Sequence, residues 1–104
     1  MSATTMKQLR KAAGFQANDM VGKILARVNG GNIYYVINTM RDNAYTVVPV
    51  RLGETSPIGE DTVWDDRVEI DHVVNDRLAF SKNHPKEWQA LVSAYPQFAV
   101  PNSG

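Results

Sequence analysis

The residue types that could do chemistry are few: two histidines, no cysteine, and acids and bases in equal number. His72 is the first candidate, because Asp71 precedes it and Asp76-Arg77 follow closely. A carboxylate beside an imidazole can fix its tautomer and hold it as a general base. Alternation places Val68, Ile70 and His72 on one side of a strand and Arg67, Glu69 and Asp71 on the other. Strand neighbours point to opposite faces. A half-buried histidine hydrogen-bonded within the sheet is therefore the competing reading.

Metal chemistry finds less. His72 and His84 lack the spacing of a zinc pair. Asp61, Asp65, Asp66, Glu69 and Asp71 carry oxygen ligands, but not the alternating acids and central glycine of a calcium loop. No metal and no cofactor is expected. Asn29-Gly30-Gly31-Asn32 joins two strands, whereas a phosphate cradle leads into a helix N-terminus. Nucleic-acid binding calls for cations near aromatics. Tyr34, Tyr35 and Tyr45 fall on strands that also bring Lys23, Arg27, Arg41 and Arg51. Such a face could hold single-stranded RNA, or the tyrosines could simply pack within the sheet.

The whole chain sets limits on these readings. Its 104 residues make one domain, and Lys plus Arg equals Asp plus Glu at 11 each. Zero net charge gives no global pull toward nucleic acid or an anionic membrane. Charge is segregated along the sequence all the same. Seven bases from Lys7 to Arg51 face only Asp19 and Asp42, and eight acids from Glu54 to Asp76 face only Arg67. Folding either keeps these blocks apart as a dipolar surface or joins them as ion pairs. The missing cysteine suits a reducing compartment. With no apolar signal segment and no stretch able to span a bilayer, a soluble, cytoplasmic protein without membrane contact is expected.

The elements that must position the candidates are mostly strands. Thr4 or Thr5 can cap a short helix with Met6, Leu9 and Ala13 on one face and Gly14 at its end. Residues 1–18 are this helix and a lead-in. Residues 19–80 form the β core. Met20–Val28 shows Ile24, Ala26 and Val28 on an apolar face, with Lys23, Leu25 and Arg27 on a wet one. The Asn29–Asn32 turn predicts a hairpin into Ile33–Ile37, apolar on both faces. A turn over Asn38–Asn43 leads to Ala44–Leu52, where Pro49 demands an edge or a bulge. After a loop, Thr62–Val74 alternates again, with Asp65-Asp66 as a bulge or turn, and Leu78–Phe80 reads as a short strand. Asn83-His84-Pro85 starts a helix over 83–95 with Trp88, Leu91, Val92 and Tyr95 on one stripe, and 96–104 reads as a tail. The fold class is mainly β (α+β): a small SH3-like barrel or a strongly bent antiparallel sheet, with a short N-terminal and a packed C-terminal helix.

Three runs resemble the core strands of MazF/PemK-type toxins: Gly22-Lys23-Ile24-Leu25, Tyr35-Val36-Ile37-Asn38 and Tyr45-Thr46-Val47-Val48-Pro49-Val50. Val68-Glu69-Ile70-Asp71-His72 and Asp76-Arg77-Leu78 are similar to that family's late strand. The resemblance covers Met20 to Phe80. It implies an SH3-like barrel that dimerises, is held by an antitoxin peptide and cuts single-stranded RNA without metal. The chain departs from the family in three places. A tight turn replaces the long loop after the first strand, Arg51 stands where a threonine or serine is expected, and Glu69 replaces an arginine, while Asp71 matches. A glutamate would repel a scissile phosphate that arginine would stabilise.

Two functions are thus expected from different classes. One is a MazF/PemK-like barrel of toxin–antitoxin or mobile-element type. It contacts RNA through Lys23, Arg27, Arg41, Tyr35 and Tyr45, and as an endoribonuclease it would use Arg51 and His72 with Asp71 as orienter. The other is a non-catalytic phage or plasmid accessory protein acting as a protein-binding module.

Overall fold

The computed structural model describes residues 4–14, 20–28, 30–41, 43–53 and 61–99. Five strands form an antiparallel sheet in the order β5-β4-β3-β2-β7: β2 (Leu25–Arg27), β3 (Ile33–Arg41), β4 (Ala44–Arg51), β5 (Thr62–Asp65) and β7 (His72–Val74). A two-stranded ribbon pairs β1 (Thr4–Thr5) with β6 (Glu69–Ile70). Among the described residues three helices are bounded at both ends: α1 (Met6–Ala13), α2 (Arg77–Asn83) and α3 (Pro85–Ala94), the last followed by a 3₁₀ turn at Pro96–Phe98. The domain is mainly β with helices. Of the two forms open to the sequence the structure takes the open one, since β5 and β7 do not pair and no barrel closes.

Both faces of this sheet are covered. Ile24, Ala26, Ile37, Tyr45, Val47 and Trp64 pack with Met6, Met20 and Ile70 on one side. Leu25, Tyr34, Val36, Val48 and Val50 pack with Phe80, Trp88, Leu91 and Phe98 on the other. This second layer corrects the wet face expected of Leu25, which is fully buried. β2 lies between β3 and β7, so its alternation is hidden by helices distant in sequence. It is also shorter than Met20–Val28, because Gly22 turns the chain at φ 70° and donates its N–H to the Ile37 carbonyl at 2.6 Å.

Local chemistry explains most element ends. The Thr5 hydroxyl accepts the Gln8 N–H at 3.2 Å, and the Gln8 side chain accepts the Thr5 N–H at 3.0 Å, a reciprocal cap. Gly14 closes α1 in the left-handed conformation, φ 67°. The N–H groups of Met6 and Lys7 donate to the carbonyls of Val68 and Asp66 at 2.9 and 3.1 Å. The start of α1 is thereby fastened to the turn between β5 and β6.

Three further expectations change. β3 runs through Asn38 to Arg41 instead of turning at Asn38, and its register with β4 slips between Ile37 and Thr39. The extra residue of that bulge absorbs the turn-like composition. Leu78–Phe80 is helical, not a strand: the Asp76 carboxylate accepts the Ala79 N–H at 2.9 Å and caps α2. Asp76→Ala is expected to lower stability by about 1 kcal/mol in thermal unfolding, with Asp76→Asn close to wild type. Finally, Phe98 is buried at 1% while Pro96 and Gln97 are exposed, so the chain past α3 is anchored in the core by that one ring and does not fray from residue 96. Residues 100–104 lie outside the described ones.

Pro49 sits as its chemistry requires. β5 pairs with β4 only from Ala44 to Val47, so beyond that point β4 has no outer strand among the described residues. The missing N–H costs no ladder bond there.

Candidate functional site

The hairpin between β2 and β3 fixes Arg27 opposite Tyr34, and the return of β7 sets His72 opposite Arg27. Directly opposed residues share a face. Tyr34, Arg27 and His72 therefore stand in one row at one end of the sheet, on the side that carries α2 and α3. The Arg27 guanidinium lies 5.7 Å from the Tyr34 ring centre, and the His72 ring meets Tyr34 edge-on at 5.9 Å. Asp71, in the bend before β7, accepts Arg27 Nε at 3.0 Å, while its own N–H donates to the Arg27 carbonyl at 2.9 Å. Gly30 stands over the carboxylate: a Cβ there would come within 3.4 Å of Asp71 Oδ2.

This corner gathers Asp71 and His72 from the expected catalytic set and Arg27 from the expected RNA set. Arg51 is elsewhere. It is exposed at the end of β4, opposite Ile33, one residue past the row of Val50 and Tyr34. Alternation sends it to the other face, and two strands separate β4 from β7. His72 is itself exposed, not on a covered apolar side as its alternation predicts, because the helical layer does not reach over it.

The electrostatics show how each group is used. Hydrogen bonding to the Asp71 carboxylate raises Arg27 above its ordinary range. Asp71 thus orients an arginine and not the histidine next to it. At the far side of the aromatic run, Tyr34 meets Phe80 at 5.3 Å and Phe80 meets His84 at 4.8 Å. His84 Nδ1 is 3.9 Å from Glu87 Oε2. That carboxylate accepts the Gly53 N–H at 2.9 Å, and this bond above all holds Glu87 below the usual carboxylate range. The two histidines lie at opposite ends of the ring series and do not form a pair.

The other residues expected to contact RNA are dispersed. Lys23 is exposed in the turn before β2, and Arg41 is exposed at the opposite end of β3 from Tyr34, roughly 23 Å along the strand. Tyr35 is half-buried on the α1 side, its ring 4.9 Å from Trp64. Tyr45 is fully buried, with its hydroxyl on Asp66 and the Arg10 guanidinium 5.9 Å from its ring. A base cannot stack on a ring with no free surface, so Tyr45 serves the core. These residues do not make one platform.

Two ion pairs settle the fate of the charge blocks. Arg10 meets Asp66 at 3.2 Å and Arg27 meets Asp71 at 3.0 Å, each joining the basic half to the acidic half. Folding uses part of the segregated charge internally. An open groove of about 510 Å³ runs along α3, lined by Pro85, Lys86, Gln89, Ala90 and Ser93. It follows the face of the helix away from Trp88, and no residue of the corner lines it. Among the described residues no three acids or histidines come together as a metal site, and no helix is long and apolar enough to cross a membrane.

No protein-family model, curated protein or solved structure matches this chain. Its function has to be argued from the geometry.

The central position of Arg27 was the least visible feature in the sequence. Arg27 and Asp71 are 44 residues apart, and only the pairing of β7 with β2 brings them together. The Asn29–Asn32 turn shows that residue 27 faces residue 34, but nothing local selects β7 as the other neighbour.

Proposed function

We propose that this domain is a non-catalytic protein-binding module. One observation carries the reading: the carboxylate that could orient His72 is committed to Arg27. A general base needs a group that positions its proton path. At this corner the carboxylate beside His72 accepts Arg27 Nε at 3.0 Å. The distance of Arg51 from His72 supports the same conclusion, as does the burial of Tyr45.

A second reading rests on the exposure of His72 beside Arg27. In a MazF/PemK-like ribonuclease these two would act on single-stranded RNA without metal, with Arg27 in the place expected of Arg51. One experiment separates the readings. The module leaves labelled single-stranded RNA intact in EDTA and does not retain it in a mobility-shift gel. Cleavage by wild type that disappears in His72→Ala would overturn the module in favour of the nuclease.

A further inference from the structure

β5 and β7 are the outer strands of the sheet. In β5, Trp64 is buried against Tyr35 at 8% exposure and anchors the strand, while Val63 on the opposite face is 70% exposed. Register places Val63 in a row with Thr46 and Thr39, whose hydroxyls bond at 2.6 Å, and Asp65 in a row with Ala44 and Arg41. The helical layer, which packs on Val48 and Val50, leaves these rows uncovered. Beyond β5 no described residue pairs with its outer side. A strand in that position presents unpaired N–H and C=O groups, the template for an added strand.

Charge narrows the occupant. Asp61 is exposed at the start of β5, and Asp65 is 44% exposed at its end. Arg67, 91% exposed, holds Asp65 Oδ2 through Nε and a terminal nitrogen at 3.3 and 2.9 Å and Oδ1 through its backbone N–H at 2.8 Å, so a partner's cation would share that carboxylate with Arg67. A second copy is a poor fit: antiparallel pairing of Val63 with Val63 would set Asp61 against Asp65. A basic extended segment fits both features.

We propose that the outer edge of β5 binds an extended segment of a partner protein by strand addition. An apolar side chain of that segment lies beside Val63, and a lysine or arginine two positions away lies beside Asp65. The spacing follows from the pleat, since residues two apart share a face. The proposal rests on the binding-module reading and gives it a site and a partner chemistry.

The test uses the full-length, isotope-labelled chain and the peptide Thr-Val-Thr-Lys-Thr-Val-Thr-Lys, with a twin in which glutamate replaces lysine. Saturable amide shifts are expected at Thr62–Asp65, with about fivefold weaker binding of the glutamate twin. Asp65→Asn should shrink that preference, and Val63→Lys should abolish binding while the remaining spectrum stays native. Four results overturn the edge site: shifts elsewhere, equal binding of the twins, unchanged binding in Val63→Lys, or no binding at all. If the peptide fails while RNA stays intact, the edge is wrong and the module reading stands. RNA cleavage lost in His72→Ala removes the module reading itself.

Discussion

Trp88→Ala is expected to destabilise the domain by about 3–5 kcal/mol, a large part of the 5–15 kcal/mol typical of a folded domain. Trp88 is 6% exposed and is the only aromatic residue of α3. Its ring meets Phe80 at 5.9 Å, and both belong to the layer that covers Leu25, Tyr34, Val36, Val48 and Val50. Truncation removes the largest side chain by which α3 holds that face and leaves a cavity the sheet cannot collapse to fill. Trp88→Phe should cost distinctly less. The buried indole N–H has no hydrogen-bond partner among the described residues, so among them the phenyl ring loses volume but no polar contact. Denaturant midpoints of the two variants measure the difference. A wild-type midpoint for Trp88→Ala would mean that α3 does not seal the sheet.

That helix was legible because its signals are local. Pro85 at the first helical position and the Trp88, Leu91, Val92 stripe need no knowledge of the rest of the fold. The same holds for Thr5, Gln8 and Gly14 around α1, and for the hairpin that pairs Arg27 with Tyr34. Leu25 and Phe80 misled for one shared reason. Each depends on a second covering layer that the chain supplies after residue 76, and a period of two cannot reveal how many faces are buried. The site was harder to see than the fold. Asp71 and His72 are neighbours in sequence, which suggests a catalytic pair, yet the bend before β7 turns the carboxylate to Arg27. Thr4–Thr5 gave no strand signal at all, since two residues paired with Glu69 and Ile70 are too few to show a period.

The junction of α1 with the sheet should be the alkali-sensitive point of the fold. The Tyr45 hydroxyl donates to Asp66, whose other oxygen accepts Arg10 at 3.2 Å, and Asp66 also offers its carbonyl to Lys7. Burial first, and the bond to Asp66 second, push Tyr45 up from 10.0 to about 12. A phenol whose folded pKa is raised is stabilised in its protonated form. Its contribution is fully present below pH 10.0 and is lost as the pH climbs toward about 12. The amount at stake is on the order of 3 kcal/mol, from a shift of about two units at 1.36 kcal/mol each. Tyr45→Phe lacks the titrating group, so its stability should fall less over that interval, although at neutral pH it gives up a hydrogen bond to a charged acceptor, about 1.5–3 kcal/mol. Asp66→Ala should be the worse variant at neutral pH, because it strands the Tyr45 hydroxyl in the core and removes an anchor of Arg10 together. Urea unfolding of the three proteins from pH 7 to 12 decides the matter. Parallel curves for wild type and Tyr45→Phe would show that ionisation of this phenol is not what loosens α1.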